Sequence, residues 1–185
     1  MRILPTTIPD VLIIEPDIFG DQRGFFYETY SEERYRSVGI DSKFCQDNLS
    51  LSEKNVLRGL HYQHQNTQGK LVYVLKGEVL DVAVDIRLGS PTFGKYFSSI
   101  LSEENKLQMW VPPGFAHGFC VISEIALFCY KCTDYYNAEA EISIKWDDPN
   151  IAINWPNSSP ILSKKDMSAP LLNELPEDRL PLYKK

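Results

Sequence analysis

Short runs of β-branched and aromatic residues, alternating with polar ones, recur along this chain at 11–14, 25–29, 71–75, 79–85, 95–101, 107–111, 118–122 and 125–133. A period of two sends successive side chains to opposite faces of an extended strand, whereas a helix would scatter the same pattern around its axis. Turn formers separate the runs, as in Lys76-Gly77-Glu78, Leu88-Gly89-Ser90-Pro91 and Pro112-Pro113-Gly114. Many short strands at such spacing close into a sandwich, jelly roll or barrel. One helix interrupts them over 32–38, with Ser31 as N-cap, Glu32 and Glu33 at the positive end of its dipole and Gly39 just past its end. Beyond Trp155, Pro156, Pro160, Pro170, Pro176 and Pro181 forbid long regular elements, leaving room for short helical turns within 166–175. The segment 156–185 is therefore expected to wrap a single domain spanning 1–185.

The 185 residues suffice for one hydrophobic core, and 43% hydrophobic with 24% charged residues places the chain among globular proteins. A net charge of −6 argues against nucleic acid or an anionic membrane as partner, since both reward a basic surface. No run reaches the roughly 20 apolar residues of a membrane span. The opening stretch is broken by Pro5, Pro9 and Asp10, unlike a signal peptide, so a cytoplasmic location is expected. Cys45, Cys120, Cys129 and Cys132 then read as small, mostly buried hydrophobes. Cys129 and Cys132 have CxxC spacing, but three residues along a strand means opposite faces, and no second pair completes a zinc site.

The three histidines, His61, His64 and His117, all fall in conspicuous settings. His117 follows a Pro-x-Gly-x-x-His turn of the kind that feeds a cupin strand. A metal-holding cupin usually offers two histidines one residue apart, yet here His61 alternates with Gln63, and His64 points to the other face of a regular strand. Three convergent imidazoles, and hence a resident metal, are not expected. A barrel histidine without a metal suits proton transfer near neutral pH. Arg58, Gln63, Lys70 and the Gln46-Asp47-Asn48 triplet lie near His61 in sequence, more polar chemistry than a barrel buries for stability. Arg58 and His61 are separated by an odd number of residues. A bulge or bend at Gly59 would bring them to one face.

Seven segments in order, Asp21-Gln-Arg-Gly-Phe-Phe-Tyr-Glu28, Gln46-Asp-Asn48, Val56-Leu-Arg-Gly-Leu-His-Tyr-Gln63, Gly69-Lys-Leu71, Pro112-Pro-Gly-Phe-Ala-His-Gly-Phe119, Tyr130-Lys-Cys-Thr-Asp-Tyr-Tyr136 and Trp146-Asp-Asp-Pro149, together resemble the dTDP-4-dehydrorhamnose 3,5-epimerase family. The resemblance implies an all-β, cupin-type jelly-roll barrel with a few short peripheral helices, a homodimer, no cofactor, and a dTDP-sugar substrate in rhamnose nucleotide synthesis. Position by position, it implies His61 as base, Tyr130 as acid, Lys70 as support for an enolate, and Asp166 as partner of the histidine. It further implies that Arg23, Arg58 and Lys165 meet the diphosphate or sugar. Glu28, Gln46, Asp47 and Asn48 would contact nucleotide and sugar, Tyr136 would stack on thymine, and His117 and Glu141 fall on binding positions. Arg23 and Glu28 would equally suit a surface salt bridge, and Asp166 a helix cap. Three other functions stay open at this point: an epimerase acting at one carbon, a metal cupin, and a non-catalytic sugar-nucleotide binder.

Overall fold

A computed structural model describes residues 1–183; the last two positions of the expected wrap, 184 and 185, lie outside the described residues. Thirteen strands run in the order β1 (Arg2–Leu4), β2 (Leu12–Glu15), β3 (Ile18–Asp21), β4 (Gly24–Tyr27), β5 (Gln46–Glu53), β6 (Leu57–Gln63), β7 (Lys70–Lys76), β8 (Glu78–Asp85), β9 (Tyr96–Ser102), β10 (Gln108–Val111), β11 (Phe115–Val121), β12 (Ile125–Cys132) and β13 (Glu141–Ser143). They form a six-stranded sheet, β1-β2-β10-β7-β12-β5, a five-stranded sheet, β13-β6-β11-β8-β9, and a separate β3-β4 hairpin. The named pairs are antiparallel throughout. The fold is the expected all-β jelly roll of cupin type.

The two sheets face each other, and alternation decides what lies between them. Val72, Val74, Met109, Val111, Ala126 and Phe128 from the larger sheet meet Val79, Ala83, Leu101, Phe115, Phe119 and Val121 from the smaller. The odd and even positions of β8 part company as the pattern requires. Val79 and Ala83 point inward, while Val82 and Val84 join Leu60, Tyr62, Ala116 and Ile144 under a cover that includes Leu172 and Leu180 of the tail. Leu172 and Leu180 thereby pack against the smaller sheet from outside. The tail bridges Val56 to Ile161 and Leu88 to Leu182, and contains α2 (Lys164–Met167) with 3-10 turns at Leu172–Glu174 and Glu177–Arg179.

The helix expected over 32–38 is α1 (Glu32–Ser37), which lays Tyr35 on the outer face of the larger sheet beside Ile14, Leu71 and Trp110. The Tyr35 hydroxyl donates to Gln108 Oε1 at 2.5 Å. Ser31 stands at the N-cap position but makes no side-chain capping bond, so the helix is held by Tyr35 more than by its cap. Of the cysteines, Cys120 and Cys132 are buried, Cys129 is half-buried and Cys45 is exposed, which corrects the expectation that most are buried.

Candidate active site

A cavity of about 420 Å³ opens between the two sheets, and each wall brings a different chemistry. On the smaller sheet stand Arg58, His61 and Gln63 of β6, His117 and Phe119 of β11, and Glu141 of β13. On the larger sheet stand Gln46, Asn48 and Ser50 of β5, Lys70 of β7, and Phe128 and Tyr130 of β12. Phe119 and Phe128 stack across the gap at 4.2 Å between ring centroids and join the hydrophobic core below.

Arg58 and His61 reach the same wall because β6 is bulged. His61 pairs with His117 and Arg58 with Phe119, so three steps on β6 answer two on β11. Gly59 makes this possible with φ +133, and a Cβ there would lie 2.6 Å from Gly118 Cα and 2.9 Å from the His117 carbonyl oxygen. Only glycine fits such an approach. The Arg58 Nε donates to Ser52 Oγ at 3.0 Å, which steadies the guanidinium at the mouth.

The His61 ring is set by the tail. Leu57 N–H donates to Ile161 O at 3.0 Å and Ile161 N–H to Asn55 O at 2.8 Å, so the tail runs beside β6 and delivers α2 against His61. The Asp166 carboxylate Oδ1 then lies 2.6 Å from His61 Nε2. Burial alone would raise the Asp166 carboxyl. The hydrogen bond and charge of His61, with further bonds from Ser163 and the Gly59 backbone, outweigh it and hold the group below its ordinary 3.8. An ionised carboxylate on one ring nitrogen leaves the other, Nδ1, turned toward Glu141 Oε1 at 4.0 Å. Glu141 is itself paired with Lys165 and accepts from the Tyr136 hydroxyl at 3.0 Å.

Across the cavity, burial raises the Tyr130 phenol above its ordinary 10.0, against the pull of Arg58, so it carries its proton at neutral pH. Burial lowers Lys70 below 10.5, opposed by attraction to Cys132, Glu141 and Asp81. Among the described residues no carboxylate forms an ion pair with the Lys70 ammonium, while the buried Asp81 is engaged with His117, whose Nε2 lies 3.0 Å from both its oxygens. Asp81 went unnamed in the sequence, although an acid at an inward position of the β8 alternation was a readable signal.

Four expected binding residues are not in this cavity. Arg23 lies on the exposed β3-β4 hairpin, ion-paired with Asp21, and Glu28 lies near Arg34, 3.6 Å away. Asp47 occupies an outward position of β5, between the inward Gln46 and Asn48, and pairs with Lys131 at 3.0 Å. Lys165 reaches the cavity only through Glu141. His64 turns outward as expected, its Nδ1 2.8 Å from Arg179 O. Among the described residues, no group of three His, Cys, Asp or Glu side chains is arranged to hold a metal ion.

A family model described as dTDP-4-dehydrorhamnose 3,5-epimerase matches residues 5–174, most of the chain. The chain belongs to that family. A family member from Salmonella typhimurium, named dTDP-4-dehydrorhamnose 3,5-epimerase, is 55% identical over 177 residues, covering 94% of this chain and 97% of that protein. One of the same name from Neisseria gonorrhoeae is 54% identical and covers 91% of this chain, which spans only 52% of that protein's length. The crystal structure of a dTDP-6-deoxy-D-glucose-3,5-epimerase from Legionella pneumophila Philadelphia 1, in complex with dTDP-4-keto-L-rhamnose, is 58% identical. It superposes with a TM-score of 0.98 over 100% of this chain and 99% of that one.

Proposed function

We propose that the chain, working as one catalytic domain, epimerises dTDP-4-dehydro-6-deoxy-D-glucose at carbons 5 and 3 to give dTDP-4-dehydro-L-rhamnose, for dTDP-L-rhamnose synthesis. The observation that carries this reading is the placement of a base and an acid on opposite walls: the His61–Asp166 pair on the smaller sheet and the protonated Tyr130 on the larger. Inversion at carbon requires a proton to leave one face and return to the other, which is what two facing sheets offer.

His61 Nδ1 takes the proton beside the 4-keto group, and the electron pair moves into the carbonyl to give an enolate. Asp166 supports the imidazolium so formed. The Lys70 ammonium, which pairs with no carboxylate among the described residues, stabilises the enolate oxygen in a site where burial strengthens the attraction. Tyr130 returns a proton from the far side; His61 then gives its proton to solvent, Tyr130 regains one from solvent, and a second cycle inverts the other carbon. Arg58 at the mouth suits a diphosphate oxygen, and Tyr136 the nucleobase. The residues that would compose a metal site are otherwise engaged, so turnover should survive exhaustive EDTA treatment.

Arg23 and Glu28 keep a substrate role only if a second copy presents them. A homodimer is supported by Phe19, Phe25 and Phe26 on the hairpin, 62–70% exposed, and by Leu49 and Leu51 on the outer face of the edge strand β5. Four cysteines without a disulfide suit the cytoplasm, and among the described residues no helix is long and apolar enough to cross a membrane. Heavy-water incubation of the protein with the 4-keto sugar nucleotide tests the function. Deuterium at carbons 3 and 5 with formation of the L-rhamno product is expected, deuterium at one carbon alone would mark a single-centre epimerase, and no exchange would leave only a binder.

A further inference from the structure

The loop between β12 and β13 carries Tyr136, a residue 55% exposed, to the cavity mouth. The loop backbone is gripped by amide side chains from three separate stretches of the chain. Gln63 of β6 donates through Nε2 to Tyr135 O at 3.1 Å and to Asn66 O at 2.7 Å, and accepts through Oε1 from Asn137 N–H at 2.8 Å. Gln68, just before β7, donates to Asp134 O at 2.9 Å. Gln46 of β5 accepts from Tyr136 N–H at 2.9 Å, while its own Nε2 is spent on Asn48 Oδ1 at 2.9 Å.

Each amide uses the end that the loop needs: a donor meets a carbonyl, an acceptor meets an N–H. Gln63 and Gln68 are 3% and 7% exposed, so water does not substitute when these bonds are lost. A buried amide costs stability unless its bonds are made, and an inward strand position beside His61 would ordinarily be apolar. The investment falls on residues 134–137 and leaves the chemistry of His61 and Tyr130 untouched.

We propose that Gln63, Gln68 and Gln46 are positioning residues for nucleotide recognition, locking the 134–137 backbone so that the Tyr136 ring stands as a preformed face for a nucleobase. The inference rests on the reading of Tyr136 as the base-stacking residue. Holding the loop in the free protein moves the cost of ordering it from binding to folding, and affinity rises without any new contact to the ligand.

Calorimetric titration of the full chain with dTDP, alongside steady-state turnover of the 4-keto sugar nucleotide, tests this. Gln63→Met keeps the length of the side chain and removes both polar ends. It should raise the dTDP Kd and the KM together by about tenfold, with kcat within about twofold of the parent. Gln68→Met removes one bond and should act the same way by about threefold. Tyr136→Ala should weaken dTDP by at least as much as Gln63→Met, and adding Gln63→Met to it should weaken dTDP no further, because a loop without the ring has nothing to present. A purely structural role would instead lower kcat and add to Tyr136→Ala. Unchanged dTDP affinity in folded Gln63→Met, while Tyr136→Ala binds weakly, overturns the inference and leaves the stacking role standing. Should Gln63→Met not fold, Gln68→Met is judged by the same criterion. Unchanged affinity in Tyr136→Ala overturns the stacking role and this inference with it.

Discussion

The ammonium of Lys70 is buried in the cavity wall, its charge opposed by burial and attracted by Cys132, Glu141 and Asp81. A cation held this way destabilises the empty protein, and under the proposed mechanism it is the group that meets the enolate oxygen. Lys70→Met should therefore stabilise the fold by about 1–3 kcal/mol while lowering turnover by about 10²–10³-fold. The pH dependence has a definite sign. Because burial lowers the Lys70 pKa in the folded state from 10.5, the unfolded chain holds its proton more tightly, and wild-type stability rises with pH between the two values. The advantage of Lys70→Met, read by thermal unfolding, should be greatest in acid and shrink as pH approaches 10.5. A variant less stable than the parent at every pH would show that Lys70 is a packing residue.

At the scale of elements, β6 is decisive, since its bulge turns an odd spacing into two side chains on one wall. Gly59→Ala places a methyl group against two backbone atoms at a φ of +133. It should cost about 2–4 kcal/mol in urea unfolding, and turnover should fall by about 10²-fold in the protein that remains folded, as Arg58 and His61 lose their common face. A variant with ordinary stability and turnover would refute the geometry. The sequence offered a bulge or a bend at Gly59 as a way to join Arg58 and His61 but did not decide it, because a single glycine in a strand is compatible with regular pairing as well. β5 was not read as a strand, and the reason is physical: its inward residues Gln46, Asn48, Ser50 and Ser52 line or border a cavity, while its outward Leu49 and Leu51 are exposed. Reversed polarity of this kind looks like a loop to any reading that seeks an apolar inner face. β1, β3 and β13 are only three or four residues long, too short for a period to register. Asp166 was reached by resemblance alone, since nothing in Lys164-Lys165-Asp166 foretells that the tail will pair with Asn55 and Leu57 and set that carboxylate on His61.

The whole molecule exposes aromatic residues on a hairpin and leucines on an edge strand, and Arg23 and Glu28 stand with the hairpin and α1 rather than at the cavity of their own chain. Sedimentation should give a mass near twice the 21.2 kDa of one chain, and Phe26→Asp should shift that mass toward a single chain. A monomer at micromolar concentration would leave Arg23 and Glu28 with no substrate to meet. The division of labour between the two sheets is read directly by isotope exchange. In heavy water, His61→Asn should lose deuterium incorporation at both carbons together, by about 10²–10⁴-fold, because the one base serves both. Tyr130→Phe should still exchange, since the enolate forms and His61 can return a proton to the face it came from, but inversion at carbon 5 should fail. Near-normal exchange in folded His61→Asn, or identical isotope patterns in the two variants, would contradict the assignment of base and acid to opposite walls.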